Sequence, residues 1–177
     1  MTGALTRIDI RGTGGVRLRD KWRDGPRSYL GLAVAGFPNL FTVTGPGSPS
    51  VLTNMLPTIE QHVEWISDCF RNLRDRGIDR IEARETAEDE WVAHNAEVAG
   101  NTLRSTCSSW YVGANMPGKP RVFMPYIGGF PAYVERCDAI AAKGYEGLSW
   151  GERAGRAIGP GDARRRSPTV RPCAPCG

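Results

Sequence analysis

"LFTVTGPGSPSVLTNMLPTIEQHVEWI", Leu40–Ile66, holds three patterns in a row. Leu40–Thr44 is short, β-branched and aromatic, which suits a buried strand. Gly45–Ser50 is Gly-Pro-Gly-Ser-Pro-Ser with no charge in it, a turn signal. From Asn54 a helical period begins. A strand, a glycine-rich turn and a helix N-terminus form a cofactor or anion cradle in many α/β proteins, because free N–H groups face outward and the helix dipole adds positive charge. The spacing here is neither G-x-G-x-x-G nor G-x-x-x-x-G-K-[ST], and no lysine precedes the helix, so a Walker phosphate site is excluded. Pro46 and Pro49 remove two donors and stiffen the turn. Such a turn suits a flat, partly apolar ligand, or serves as a plain connection.

Working outward, the helix is the clearest element. Ile59, Val63, Ile66, Phe70 and Leu73 recur at 4, 3, 4, 3 and predict one apolar stripe facing the core. Thr53 or Asn54 can cap it, Pro57 falls in its first turn, and Gly77 stops it. A second helix is expected over about Ala87–Leu103, acidic at its start, and a third over about Pro131–Lys143 with Gly144 as its stop. Residues 105–123 read as a loop and then a short strand. Residues 5–22 alternate on both sides of "RGTGG", which predicts a β-hairpin. After Trp150 the chain turns rich in Gly, Pro and Arg, and residues 151–177 are expected to be a disordered tail.

The net charge of +4 belongs to that tail. It holds six arginines and two acids, so of the chain's 23 bases and 19 acids, residues 1–150 keep 17 of each. A basic pI is then no argument for nucleic-acid binding by the body of the protein. No run approaches the roughly 18 apolar residues of a membrane span, and the N-terminus has no signal-peptide pattern, so a cytoplasmic location is expected. Five scattered cysteines do not read as a disulfide framework, and Cys173-x-x-Cys176 lacks the strand–helix context of a redox pair. His62 and His94 stand in no triad or metal constellation and read as helix residues; no catalytic or metal-binding residue is assigned.

Three stretches carry a resemblance: "YLGLAVAGFPNLFTVTGPGSPSVLTNMLPTIEQHVEWI", "SSWYVGANMPGKPRVFMPYIGG" and "CDAIAAKGYEGLSW". Together, and almost continuously over residues 1–150, the chain resembles the C-terminal part of Baeyer–Villiger flavin monooxygenases of the phenylacetone and cyclohexanone monooxygenase type. The resemblance implies an α/β fold, part of a three-layer FAD/NAD(P)-binding architecture: the last strand and helix of an FAD domain in residues 1–77, then helices and loops with an NADP-contacting loop in residues 78–150. It implies FAD and NADP as cofactors of the complete enzyme, and an oxygen atom from O2 inserted beside a ketone carbonyl to give an ester or lactone. Gly45, Pro46, Gly47, Ser48, Asn54 and Met55 would lie beside the flavin ring, with Ser50, Val51 and Leu52 on the substrate pocket. Trp110 and Lys119 would lie on the loop that contacts NADP.

The family's two dinucleotide motifs, its F-x-G-x-x-x-H-x-x-x-W-[PD] fingerprint and its arginine beside the flavin have no counterpart among these residues. The expectation is a fragment that is inactive and binds no FAD tightly by itself. Two other classes stay open: a small non-catalytic ligand-binding module, and a nucleic-acid binder acting through the arginine tail.

Overall fold

The computed structural model describes residues 3–49, 53–100 and 122–151. They form a mixed helix-and-strand structure with helices α1 (Gly3–Arg7), α2 (Leu18–Lys21), α3 (Met55–Asp75), α4 (Glu85–Gly100) and α5 (Phe130–Ala142), and strands β1 (Arg80–Ala83) and β2 (Leu148–Gly151).

The expected hairpin over residues 5–22 is absent. Only its turn stands: Gly14 and Gly15 take φ of +69° and +76°, and a single antiparallel bridge joins Arg11 to Arg17. The flanks coil into α1 and α2 instead. Leu18 and Trp22 are both buried, and residues four apart share a face on a helix. Val16, which strand alternation would have put beside them, is exposed. With Val34 and Phe37 they make a small satellite core.

The expected strand at 40–44 is also absent. Phe41 makes one isolated bridge to Ala33, and the Thr42 N–H donates to the Leu32 carbonyl at 2.8 Å. Val43 is exposed and Thr44 leaves extended geometry with φ +53°. A strand persists by pairing along its length, and among the described residues this stretch finds only that one bridge. Val122 and Phe123, the described end of the strand expected before Met124, are coil as well, and beyond them one bridge joins Tyr126 to Pro49.

α3 begins and ends where its residues predict. The Asn54 side chain accepts from the Leu56 N–H at 3.1 Å, which satisfies one of the helix's free donors. At the other end Gly77, with φ +67°, donates to the Arg74 carbonyl at 3.1 Å, and Ile78 donates to Leu73 at 2.9 Å. This pair of bonds is a Schellman stop. The buried face differs from the expected stripe, however. Ile66 and Leu73 are inside, but Ile59, Val63 and Phe70 are 36%, 48% and 48% exposed. Thr58, His62, Trp65 and Cys69 are buried in their place. These four recur at 4, 3, 4, a second stripe rotated toward α5. The Trp65 indole N–H donates to the Cys137 carbonyl of α5 at 3.0 Å.

α5 starts one residue early and stops at Gly144, whose φ is +71°. β1 and β2 pair antiparallel, Arg80 with Gly151 and Ala83 with Leu148. Ile81 and Ala83 turn inward from this ladder. One core then draws described residues from well-separated parts of the sequence: Leu30, Leu32, Trp65, Cys69, Ile81, Trp91, Tyr133, Cys137 and Leu148.

Candidate functional site

The turn after Thr44 is buried through Pro49. Its glycines allow close backbone approach, and the partners are other parts of this chain. A Cβ on Gly45 would lie 2.3 Å from Thr42 Oγ1 and 2.4 Å from the Gly31 carbonyl oxygen. A Cβ on Gly47, whose φ is +86°, would lie 2.9 Å from Asn95 Nδ2 and 3.0 Å from Trp91 Nε1. Neither contact can be met by a side-chain carbon.

The turn's donors also face inward. Gly47 N–H donates to the Met124 carbonyl at 2.6 Å, and Ser48 N–H and hydroxyl both donate to the Gly45 carbonyl, at 3.2 and 2.7 Å. The Ser28 hydroxyl donates to the Pro46 carbonyl, and Trp91 Nε1 to the Gly47 carbonyl at 3.0 Å. The residues of the turn from Gly45 to Ser48 are therefore a rigid piece of wall, with no outward nest of N–H groups for a phosphate. Asn54 and Met55 stand at the start of α3, Asn54 as its cap and Met55 exposed. Ser50, Val51, Leu52, Trp110 and Lys119 lie outside the described residues.

A cavity of about 250 Å³ lies against Pro46 and Gly47, lined also by Arg27, Asn95, Val122 and Met124. The Asn95 Oδ1 atom is buried without a partner. Nearby, the Glu88 carboxylate has no exposed surface; it accepts from the Ala35 N–H at 3.0 Å and pairs with Lys21 at 2.9 Å and Arg27 at 3.4 Å. Arg27 also pairs with Asp89.

Behind the turn sits His62. Thr44 N–H donates to its Nδ1 at 3.0 Å, and its Nε2 is 2.9 Å from the Tyr133 hydroxyl, which is 2.7 Å from the Leu30 carbonyl. Burial pushes the imidazole down to about 4 and the Tyr133 phenol well above its ordinary range. His62, which the sequence presents as a helix residue off the main stripe, is hydrogen-bonded at both ring nitrogens. The signal for it was the second stripe, in which Thr58, His62, Trp65 and Cys69 share a helix face. Nothing in the sequence pointed to Tyr133. Among the described residues no group of three or more His, Cys, Asp or Glu side chains could hold a metal ion. No described helix is long and apolar enough to cross a membrane.

No family model matches the chain. It is 47% identical over 149 residues to the acetone monooxygenase (methyl acetate-forming) of Gordonia sp. strain TY-5, covering 84% of this chain and 28% of that protein. It is 40% identical over 146 residues to a Baeyer–Villiger monooxygenase of Pseudooceanicola batsensis, covering 82% of this chain and 26% of that protein. The chain matches a portion of the Baeyer–Villiger monooxygenases. Solved structures agree. An oxidized steroid monooxygenase bound to NADP superposes with a TM-score of 0.80 at 45% identity, over 86% of this chain and 28% of that one. The OTEMO complex with FAD and NADP gives 0.78 at 34% identity, over 85% and 27%. The chain thus spans little more than a quarter of each of these monooxygenases.

Proposed function

We propose that this chain forms the flavin-side wall of an FAD- and NADPH-dependent Baeyer–Villiger monooxygenase that inserts one oxygen atom from O2 beside a ketone carbonyl. The observation that carries the reading is the 47% identity over 149 residues to a monooxygenase that forms methyl acetate from acetone. In this reading residues 1–77 close the FAD domain, with its three-layer architecture completed by other segments, and residues 78–150 carry the loop that meets NADP. Trp110 and Lys119 would contact NADP, and Ser50, Val51 and Leu52 would line the ketone pocket.

In this reading the turn and its flanks meet the flavin ring and not its phosphates. Gly47 and Ser48 have spent their N–H groups internally, so neither is free to donate to a phosphate. Val43, Met55 and Leu56, which flank the turn in sequence, are exposed and apolar, and they would hold a ring by contact. The capped N-terminus of α3 adds a positive dipole end that favours negative charge nearby. When bound, the flavin supplies the redox chemistry that couples NADPH oxidation to O2 activation. The work of this chain is to keep the wall fixed and water out.

The test is a chimera. The aligned 149-residue stretch of the acetone monooxygenase is replaced by the matching residues of this chain, and ketone-dependent NADPH oxidation with ester formation is measured. Ester production by a chimera that holds FAD supports the reading. A soluble chimera that holds FAD but makes no ester from any ketone tried would sink it. The chain alone is expected to leave flavin fluorescence unchanged on titration with FAD.

A further inference from the structure

We propose that His62 is a positioning residue: its neutral imidazole, with the proton on Nε2, latches the head of the Gly45–Ser48 turn to α5. The proton order follows from the partners. Thr44 N–H can only donate, and it points at Nδ1 at 3.0 Å, so Nδ1 holds a lone pair. The Leu30 carbonyl can only accept, and the Tyr133 hydroxyl stands 2.7 Å from it, so the tyrosine hydrogen goes there. The remaining contact, 2.9 Å between Nε2 and the Tyr133 oxygen, is satisfied when Nε2 donates. Each contact in the chain Thr44–His62–Tyr133–Leu30 then has one donor and one acceptor, and neither His62 nor Tyr133 has any exposed surface.

A second observation shows what the latch restrains. Among the described residues only four that are not glycine take positive φ, and two of them, Thr44 at +53° and Leu30 at +58°, are the two ends of this chain. A left-handed β-branched residue is costly unless its surroundings hold it. Thr44 is followed directly by Gly45, so the imidazole sets where the turn leaves the core. One histidine on α3 thereby fixes two strained turns and α5 together. Its relevance to a flavin rests on the function proposed above; the latch itself is tested without flavin.

The experiment uses the full chain labelled with 15N and read by NMR. At pH 7 the His62 ring is expected to show a protonated Nε2 and an unprotonated Nδ1. A ring protonated on Nδ1, or on both nitrogens, would overturn the proposal. Variants separate the two arms. In His62→Asn the side-chain oxygen can stand where Nδ1 stood and accept from Thr44, so Thr44 amide exchange should stay within about threefold of wild type. In His62→Gln, whose amide reaches toward Tyr133 instead, Thr44 exchange should accelerate by about tenfold or more. Equal exchange at Thr44 in wild type and in a folded His62→Gln chain would also overturn the proposal. The wild-type ring signals decide the matter even where a variant fails to fold.

Discussion

At the scale of single residues, His62 ties protonation to stability. Its imidazole is pushed down to about 4 in the folded chain by burial alone, against about 6.5 unfolded. The unfolded chain therefore takes up the proton first as pH falls. The neutral latch contributes its full stability above pH 6.5, loses it progressively between 6.5 and 4, and is flat below 4; the loss is on the order of 3 kcal/mol. The groups around it are Tyr133 and, beside that tyrosine, Cys137, whose thiol burial pushes up to about 12, so neither titrates in this window. Urea midpoints at pH 7, 5.5 and 4 should fall more steeply for wild type than for His62→Gln, since other carboxylates contribute equally to both. The glycines make a second prediction. Gly45→Ala meets backbone and should cost about 2–4 kcal/mol, while Gly14→Ala, at φ +69° but facing open space, should cost about 1. That these glycines admit a close approach was legible in the sequence. What approaches was not, because Gly31, Asn95 and Trp91 reach the turn from far along the chain.

At the scale of elements, α3 shows how far a pattern can be read. Asn54, Pro57 and Gly77 act locally, so its ends could be placed from the residues alone. Its buried face could not, since two stripes run along it and the neighbours decide between them. Tyr133 and the Cys137 carbonyl meet His62 and Trp65, which leaves Ile59, Val63 and Phe70 outward. The consequence is measurable by chemical denaturation of the chain. Val63→Gln should change stability by no more than about 0.5 kcal/mol, whereas Ile66→Ala should cost about 2–4. The opposite order would restore the expected stripe. The misread hairpin has the same origin. Alternation over six residues is compatible with one helical turn when the residues four apart, Leu18 and Trp22, share a pocket with Val34 and Phe37.

At the scale of the whole molecule, distant contacts hold the chain together more than regular sheet does. The β1–β2 ladder is four residues long, and much of the remaining order comes from side chains bonded to backbone far away. Tyr29 donates to the Glu146 carbonyl at 2.8 Å, Trp65 to Cys137, Trp91 to Gly47 and Tyr133 to Leu30. Such pairings have no local pattern, which is why helix boundaries were readable and the architecture around the turn was not. Family resemblance covers the stretches between elements as well. It extends to Ser50–Leu52, Trp110 and Lys119, which lie outside the described residues.

The Glu88 carboxylate bears on how this chain can change over generations. It is fully enclosed and answers to Lys21 and Ala35, which belong to a separate stretch of polypeptide. Removing Lys21 leaves the enclosed carboxylate with Arg27 alone, at 3.4 Å, and removing the carboxylate's charge leaves Lys21 and Arg27 without their shared partner. Glu88→Gln and Lys21→Met should each cost about 3 kcal/mol, and the double variant markedly less than their sum. Descendants of this sequence should therefore exchange positions 21 and 88 together or keep both.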